Sequence, residues 1–172
     1  ARAAQSGSQK IAEPAELYEG FMDINDSEVM WGFDHNAETS TLYASYFSHI
    51  SNLTAGYAGL NYAPKLIDKR LYESIPVTDA RKKLFQDPTG TITVDAKYIA
   101  NGAVAWKLPY ANLKFAFDGS FAQDYTYMRA AEMVLIEAEA LAHAGKGSDA
   151  ATVLAKLMSK RDPAWAKSTV TV

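Results

Sequence analysis

Aromatic side chains are the residues of this chain best suited to chemistry, and that chemistry is recognition. The sequence carries 3 Trp, 10 Tyr and 7 Phe, and five of these rings (Tyr43, Tyr46, Phe47, Tyr57 and Tyr62) fall between residues 36 and 63. The stretch is otherwise rich in Ser, Thr, Asn and Gly without a sustained hydrophobic period, so it reads as a long loop with a helical turn near Tyr43 to Ile50. Long ordered loops commonly carry function. A sugar presents apolar C–H faces that stack on rings, and hydroxyls that seek planar polar side chains; Tyr and Trp combine a ring face with a polar tip. Tyr57, Asn61 and Tyr62 are therefore the leading contact candidates, followed by Tyr43 and Trp106. The competing reading has each Tyr bury its ring to anchor the loop, which is the commoner outcome for any one Tyr taken alone. Trp31 lies in the apolar run Glu28 to Phe33 and is expected in the core.

Catalytic and metal chemistry find less support. Arg129, Glu132, Glu137 and Glu139 offer carboxylates of the kind a glycosidase sets across a scissile bond. They fall on a helix whose stripe must pack against a partner, and Arg129 and Glu132 are spaced to pair with each other. Asp79 and Arg81 read as a helix cap with an attached ion pair. Asp23-x-Asn25-x-Ser27 fails as a calcium loop, because Glu28 stands where the turn demands Gly. His35, His49 and His143 follow no metal-ligand spacing, and no phosphate-cradling or serine-nucleophile motif is present. With no Cys in the chain, thiolate chemistry and disulfides are excluded. A net charge of -3 without like-charge blocks leaves no basic footprint for nucleic acid. No apolar run is long enough to span a bilayer, and Asn52-Leu53-Thr54 matches a glycosylation sequon by pattern only.

The elements that must position these residues are clearest toward the C-terminal end. From Asp124 to Ala144 the apolar residues Met128, Ala131, Leu135, Ala138 and Ala142 make one helical stripe, with Asp124 as N-cap and Gly145 as a left-handed stop. Ser148 is placed to cap a second helix through Ala150, Leu154, Leu157 and Met158 to about Arg161, before Pro163. Residues 124–161 are thus expected to form an αα-hairpin. Its small-sided stripe lets two backbones approach closely, as in tetratricopeptide-type pairs. Elsewhere Pro14 to Met22, Pro64 to Glu73 and Thr78 to Phe85 read as short helices, and Glu28 to Phe33 as a buried strand. Ile92-Thr93-Val94 and Ala111 to Phe117 also read as strands. The expected fold class is mainly α: tetratricopeptide-like helix pairs with long loops and a few short strands.

Five phrases, in order, carry a family resemblance. The strongest is Tyr127-Met128-Arg129-Ala130-Ala131-Glu132-Met133-Val134-Leu135-Ile136-Glu137-Ala138-Glu139-Ala140, followed by a Gly turn and a partner helix. Before it stand Leu113-Lys114-Phe115, Asp79-Ala80-Arg81, the loop Tyr57-Ala58-Gly59-Leu60-Asn61-Tyr62-Ala63-Pro64, and Ser27-Glu28-Val29-Met30-Trp31. Together they resemble the SusD/RagB family of nutrient-binding lipoproteins. The resemblance implies a helical scaffold, a loop-rich ligand site and no turnover. It also implies a lipid-anchored place on the bacterial outer-membrane surface (Bacteroidetes), where such proteins hold an oligosaccharide or peptide for a SusC-type TonB-dependent transporter. The family's lipidated N-terminal cysteine is absent from these residues. Residues 1–172 are accordingly expected to be a single-domain, middle-to-late piece of a longer SusD-like chain. No cofactor is expected. The alternative reading is a tetratricopeptide-like adaptor that binds a protein or peptide.

Overall fold

The computed structural model describes residues 9–39 and 45–167. Tyr43 lies outside them. Among the described residues the regular structure is four α-helices and one two-stranded sheet, connected by long loops that carry 3-10 turns. In chain order these are β1 (Val29–Phe33), α1 (Tyr46–Ile50), α2 (Lys69–Ser74), β2 (Tyr125–Arg129), α3 (Ala130–His143) and α4 (Gly147–Met158).

The helical hairpin is present, with its start displaced. Residues 125–129, expected as the first turns of a helix, form β2, and α3 begins at Ala130. The alternation Tyr125-Thr126-Tyr127 favours a pleated strand, and β1 supplies an antiparallel partner. Asp124 therefore caps no helix. Its two carboxylate oxygens accept the backbone N–H groups of Ile24 at 3.0 Å and His35 at 2.8 Å, which pins both flanks of β1 to the start of β2. Gly145 stops α3 as expected, at φ +73°. The Lys146 N–H reaches the Leu141 carbonyl and the Gly145 N–H that of Ala142, both pairs of a Schellman turn. Ser148 lies inside α4, which starts one residue earlier and ends at Met158.

Ala131, Val134 and Ala138 of α3 pack on Val153 and Leu157 of α4, joined by Ile11, Leu141 and Leu154. The contact stripe is therefore rotated from the expected one. Leu135 is 47% exposed and Val134 is buried in its place. Burial of Val134, Val153 and Leu157 stabilises the hairpin by about 1.5–3 kcal/mol each, and the alanines add less while letting the helices approach closely.

Two further clusters hold the irregular part. Ala12, Leu17, Phe21 and Leu84 form one, with Phe85 and Phe115 beside them. Leu53, Ala111 and Leu113 form the other, covered by Ile92, Val94, Ile99, Trp106 and Leu108. Residues 92–94 and most of 111–117, expected as strands, are extended without a ladder: only the single bridges Leu66 to Ala111 and Phe85 to Asn112 form. Apolar side chains here fill space around a loop rather than build a sheet. The helix expected from Pro64 begins only at Lys69, where Asp68 caps it, and the one near Thr78 is a 3-10 turn over Ala80–Leu84. The segment from Pro14 to Met22 likewise shortens to a 3-10 turn at Glu16–Tyr18. Asp79 caps the turn at Ala80 through the Arg81 N–H and holds the Arg81 guanidinium at 2.5 Å. Arg161 ties the parts together from a buried position. Its guanidinium donates to the Ala12 carbonyl at 2.7 Å and to Glu28 at 3.3 Å, and its carbonyl accepts from Ala80.

Candidate ligand-binding surface

The segment that begins at Ser45 is built inside out: its Ser and Thr side chains and Asn52 are buried, and the rings of Tyr46, Tyr57 and Tyr62 are exposed. Ser45, Ser48, Ser51, Asn52 and Thr54 are all essentially inaccessible to water. Each has a use. The Ser45 hydroxyl caps α1 by accepting the Ser48 N–H, and the Ser51 hydroxyl donates to the Phe115 carbonyl at 2.6 Å. The Asn52 amide donates to the carbonyls of Lys65 and Asn112 and accepts the Lys65 N–H. Thr54 bridges Ser51 and Gly56. An amide so fully engaged in a closed pocket is not an acceptor for glycosylation, so the sequon at Asn52 is structural. Gly59 is required by closeness: a Cβ there would collide with the Thr54 carbonyl oxygen.

This packing fixes the backbone from which the candidate contacts project. The Tyr57 carbonyl accepts the N–H groups of both Tyr62 and Ala63 at 3.0 Å, so the two tyrosines leave one tight turn. Asn61 occupies a left-handed conformation within it, φ +68°, a conformation Asn tolerates better than most residues. Tyr62 is 77% exposed and Tyr57 is 44% exposed. The Tyr57 ring lies nearly parallel to that of His49, 5.0 Å away at 15°. Tyr57, Asn61 and Tyr62 are therefore together on the surface of a rigid loop. Trp106 lies on a neighbouring segment. The Gly59 carbonyl accepts from Val104 and Ala105, which fastens the turn preceding Trp106 to the loop, and the half-buried Trp106 ring packs against the Leu53 cluster.

A second aromatic surface escaped the sequence reading. Trp31, expected in the core, is 61% exposed. Along β1, Trp31 and Phe33 face outward, because the inner side at Gly32 is closed by Ile24 and the Tyr125 backbone. Irregular register on either side of Trp31 brings its ring 5.1 Å from that of Tyr127, and Phe33 lies 6.2 Å from Tyr125.

The carboxylates of α3 do not converge on a cleft. Glu137 is buried in α3, Glu139 faces His143 at 3.9 Å on the outer side, and Arg129 stands between Glu28 at 3.6 Å and Glu132 at 3.8 Å. Among the described residues no group of three or more acidic or His side chains is arranged to hold a metal ion. No helix among them is long and apolar enough to cross a membrane.

Comparison with known proteins agrees with this architecture. No family model and no curated protein matches the chain. The fold does match the crystal structure of a SusD-like carbohydrate-binding protein from Bacteroides vulgatus ATCC 8482, with a TM-score of 0.66 and 26% identity. The match covers 90% of this chain and 30% of that one. The fold is thus SusD-like, and the chain spans under a third of its neighbour's length.

Proposed function

We propose that this chain is part of a nutrient-binding protein that holds a glycan without turning it over. The observation that carries the reading is the rigid, inside-out loop that displays Tyr57, Asn61 and Tyr62 together, on a fold shared with a carbohydrate-binding protein. Ring faces take the C–H faces of pyranose units, and the Asn61 amide and tyrosine hydroxyls take their hydroxyl groups. A backbone set before the ligand arrives lowers the ordering cost of binding. Trp106, which follows residues fastened to this loop, and Tyr43, through its place in the sequence, complete the proposed contact set. Residues 1–172 are read as a piece of a longer SusD/RagB-type chain in which the α3–α4 hairpin is a tetratricopeptide-like scaffold pair. In that assembly the protein is lipid-anchored at the outer-membrane surface and delivers its oligosaccharide to a SusC-type TonB-dependent transporter.

Calorimetric titration against a panel of oligosaccharides and peptides, with chromatography of the mixture afterwards, tests this. A glycan that binds and is recovered intact supports the proposal. Affinity for peptides alone favours a peptide-binding relative or adaptor, and released product establishes an enzyme.

A further inference from the structure

A cavity of about 180 Å³ opens beside α1, lined chiefly by Tyr46, Phe47, Lys114, Phe115, Thr126 and Arg129. Apart from the Glu132 carboxylate at its edge, its polar groups are donors, and two of them, Lys114 and Thr126, have no hydrogen-bond acceptor among the described residues. The Lys114 ammonium sits 4.8 Å from the centre of the Phe21 ring and 5.1 Å from that of Phe115, and among the described residues no oxygen accepts a hydrogen bond from it. The Arg129 guanidinium stacks on the same Phe21 ring at 4.7 Å. Its carboxylate neighbours, Glu28 and Glu132, stand at 3.6 and 3.8 Å, beyond hydrogen-bond reach. The Thr126 hydroxyl is buried with no partner.

Lys114 is attracted by Glu28 and Glu132 and repelled by Arg129, and Glu28 is shared with Arg161, which it meets at 3.3 Å. In a partly dry site, donors without an acceptor are costly. A single anionic group bearing two oxygens would satisfy the ammonium, the guanidinium and the hydroxyl together. At the rim, Tyr46 is 49% exposed and stands edge-on to Phe47 and Phe115, a surface for the C–H face of a ring.

We infer that this cavity binds the carboxylate of an acidic sugar, a uronate, between Lys114 and Arg129. The sugar identity rests on the glycan reading above; the carboxylate rests on the cavity alone.

The test is calorimetric titration with trigalacturonate, neutral galactotriose and a glutamate-containing tripeptide, on the parent protein and on Lys114→Met. A charge-assisted carboxylate contact predicts that the uronate binds about tenfold or more tighter than the neutral trimer. It further predicts that Lys114→Met removes this preference, while its thermal unfolding shows the fold retained. Uronate binding that also weakens between low and high salt in the parent alone supports the same contact without reliance on the variant fold. Equal affinity for both sugars, or a preference that survives Lys114→Met, overturns the inference while leaving the proposed function standing. Failure of every sugar, with the acidic tripeptide bound through Lys114, overturns the sugar part and the glycan reading together. Failure of all three ligands overturns both proposals.

Discussion

Replacing Lys114 by Met is predicted to stabilise the protein, and the size of the effect follows from the lysine's surroundings. Burial is the main cause that pushes the Lys114 ammonium down from 10.5 to about 8, with the Arg129 charge adding to it and Glu28 and Glu132 opposing. A change of that size corresponds to about 3 kcal/mol of penalty on the charged form. Below pH 8 both folded and unfolded chains hold the proton, so the folded state bears the full penalty. Between pH 8 and 10.5 the folded chain releases its proton first, the unfolded chain binds more protons, and stability rises with pH. Above 10.5 both forms are neutral and the penalty is gone. Met matches the stem of Lys without its charge and retains contact with Phe21 and Phe115. Loss of the cation–π attraction to those rings offsets part of the gain, which leaves about 1–3 kcal/mol in favour of Lys114→Met at pH 7. Urea unfolding of parent and variant at pH 7 and at pH 10 measures this difference, and groups common to both cancel. The gain should be present at pH 7 and much reduced at pH 10. A variant less stable than the parent at pH 7, or a gain independent of pH, refutes the assignment of Lys114 as a cation that burial destabilises.

Three other substitutions probe the frame. Asn52→Ala strands the Lys65 N–H and the carbonyls of Lys65 and Asn112, and should cost about 2–4 kcal/mol in denaturant unfolding; a loss below 1 kcal/mol would mean the loop is not locked by this amide. Leu157→Ala empties a site between α3 and α4 and should cost about 2–5 kcal/mol by the same assay. Gly145→Ala forces a side chain into the left-handed turn that ends α3, with no steric neighbour within 4 Å. Thermal unfolding should therefore report only the backbone cost of about 1–2 kcal/mol.

Much of this was legible in the sequence, and the misses have physical causes. The hairpin was readable because its period, its Gly stop and its small residues all point the same way. Its start was misplaced because Tyr125 to Arg129 continue a helical spacing while their β-branched and aromatic side chains suit a strand. Only the partner strand, a hundred residues away, decides the contest. The capping role of Asp79 was legible because an Asx cap is a local device. Asp124, by contrast, spends its carboxylate on Ile24 and His35, a long-range use that no local pattern announces. Trp31 was misread because an apolar run does not say which of its two faces is covered. The loop's aromatic content was visible, whereas the buried Ser and Asn side chains that make it rigid look in sequence like ordinary surface polarity. The cavity around Lys114 draws on residues 21, 46, 114, 126 and 129, which only the fold brings together.

The Tyr57–Tyr62 loop is proposed to hold a glycan. The most direct test is the oligosaccharide affinity of Tyr57→Ala and Tyr62→Ala, measured calorimetrically beside Trp31→Ala, whose ring lies on the separate sheet surface. Either loop variant should weaken binding by about 1 kcal/mol or more, as expected of a contact residue, while Trp31→Ala should bind like the parent. Unchanged affinity in both loop variants, with loss in Trp31→Ala, would contradict it and place the ligand on the aromatic face of β1 and β2.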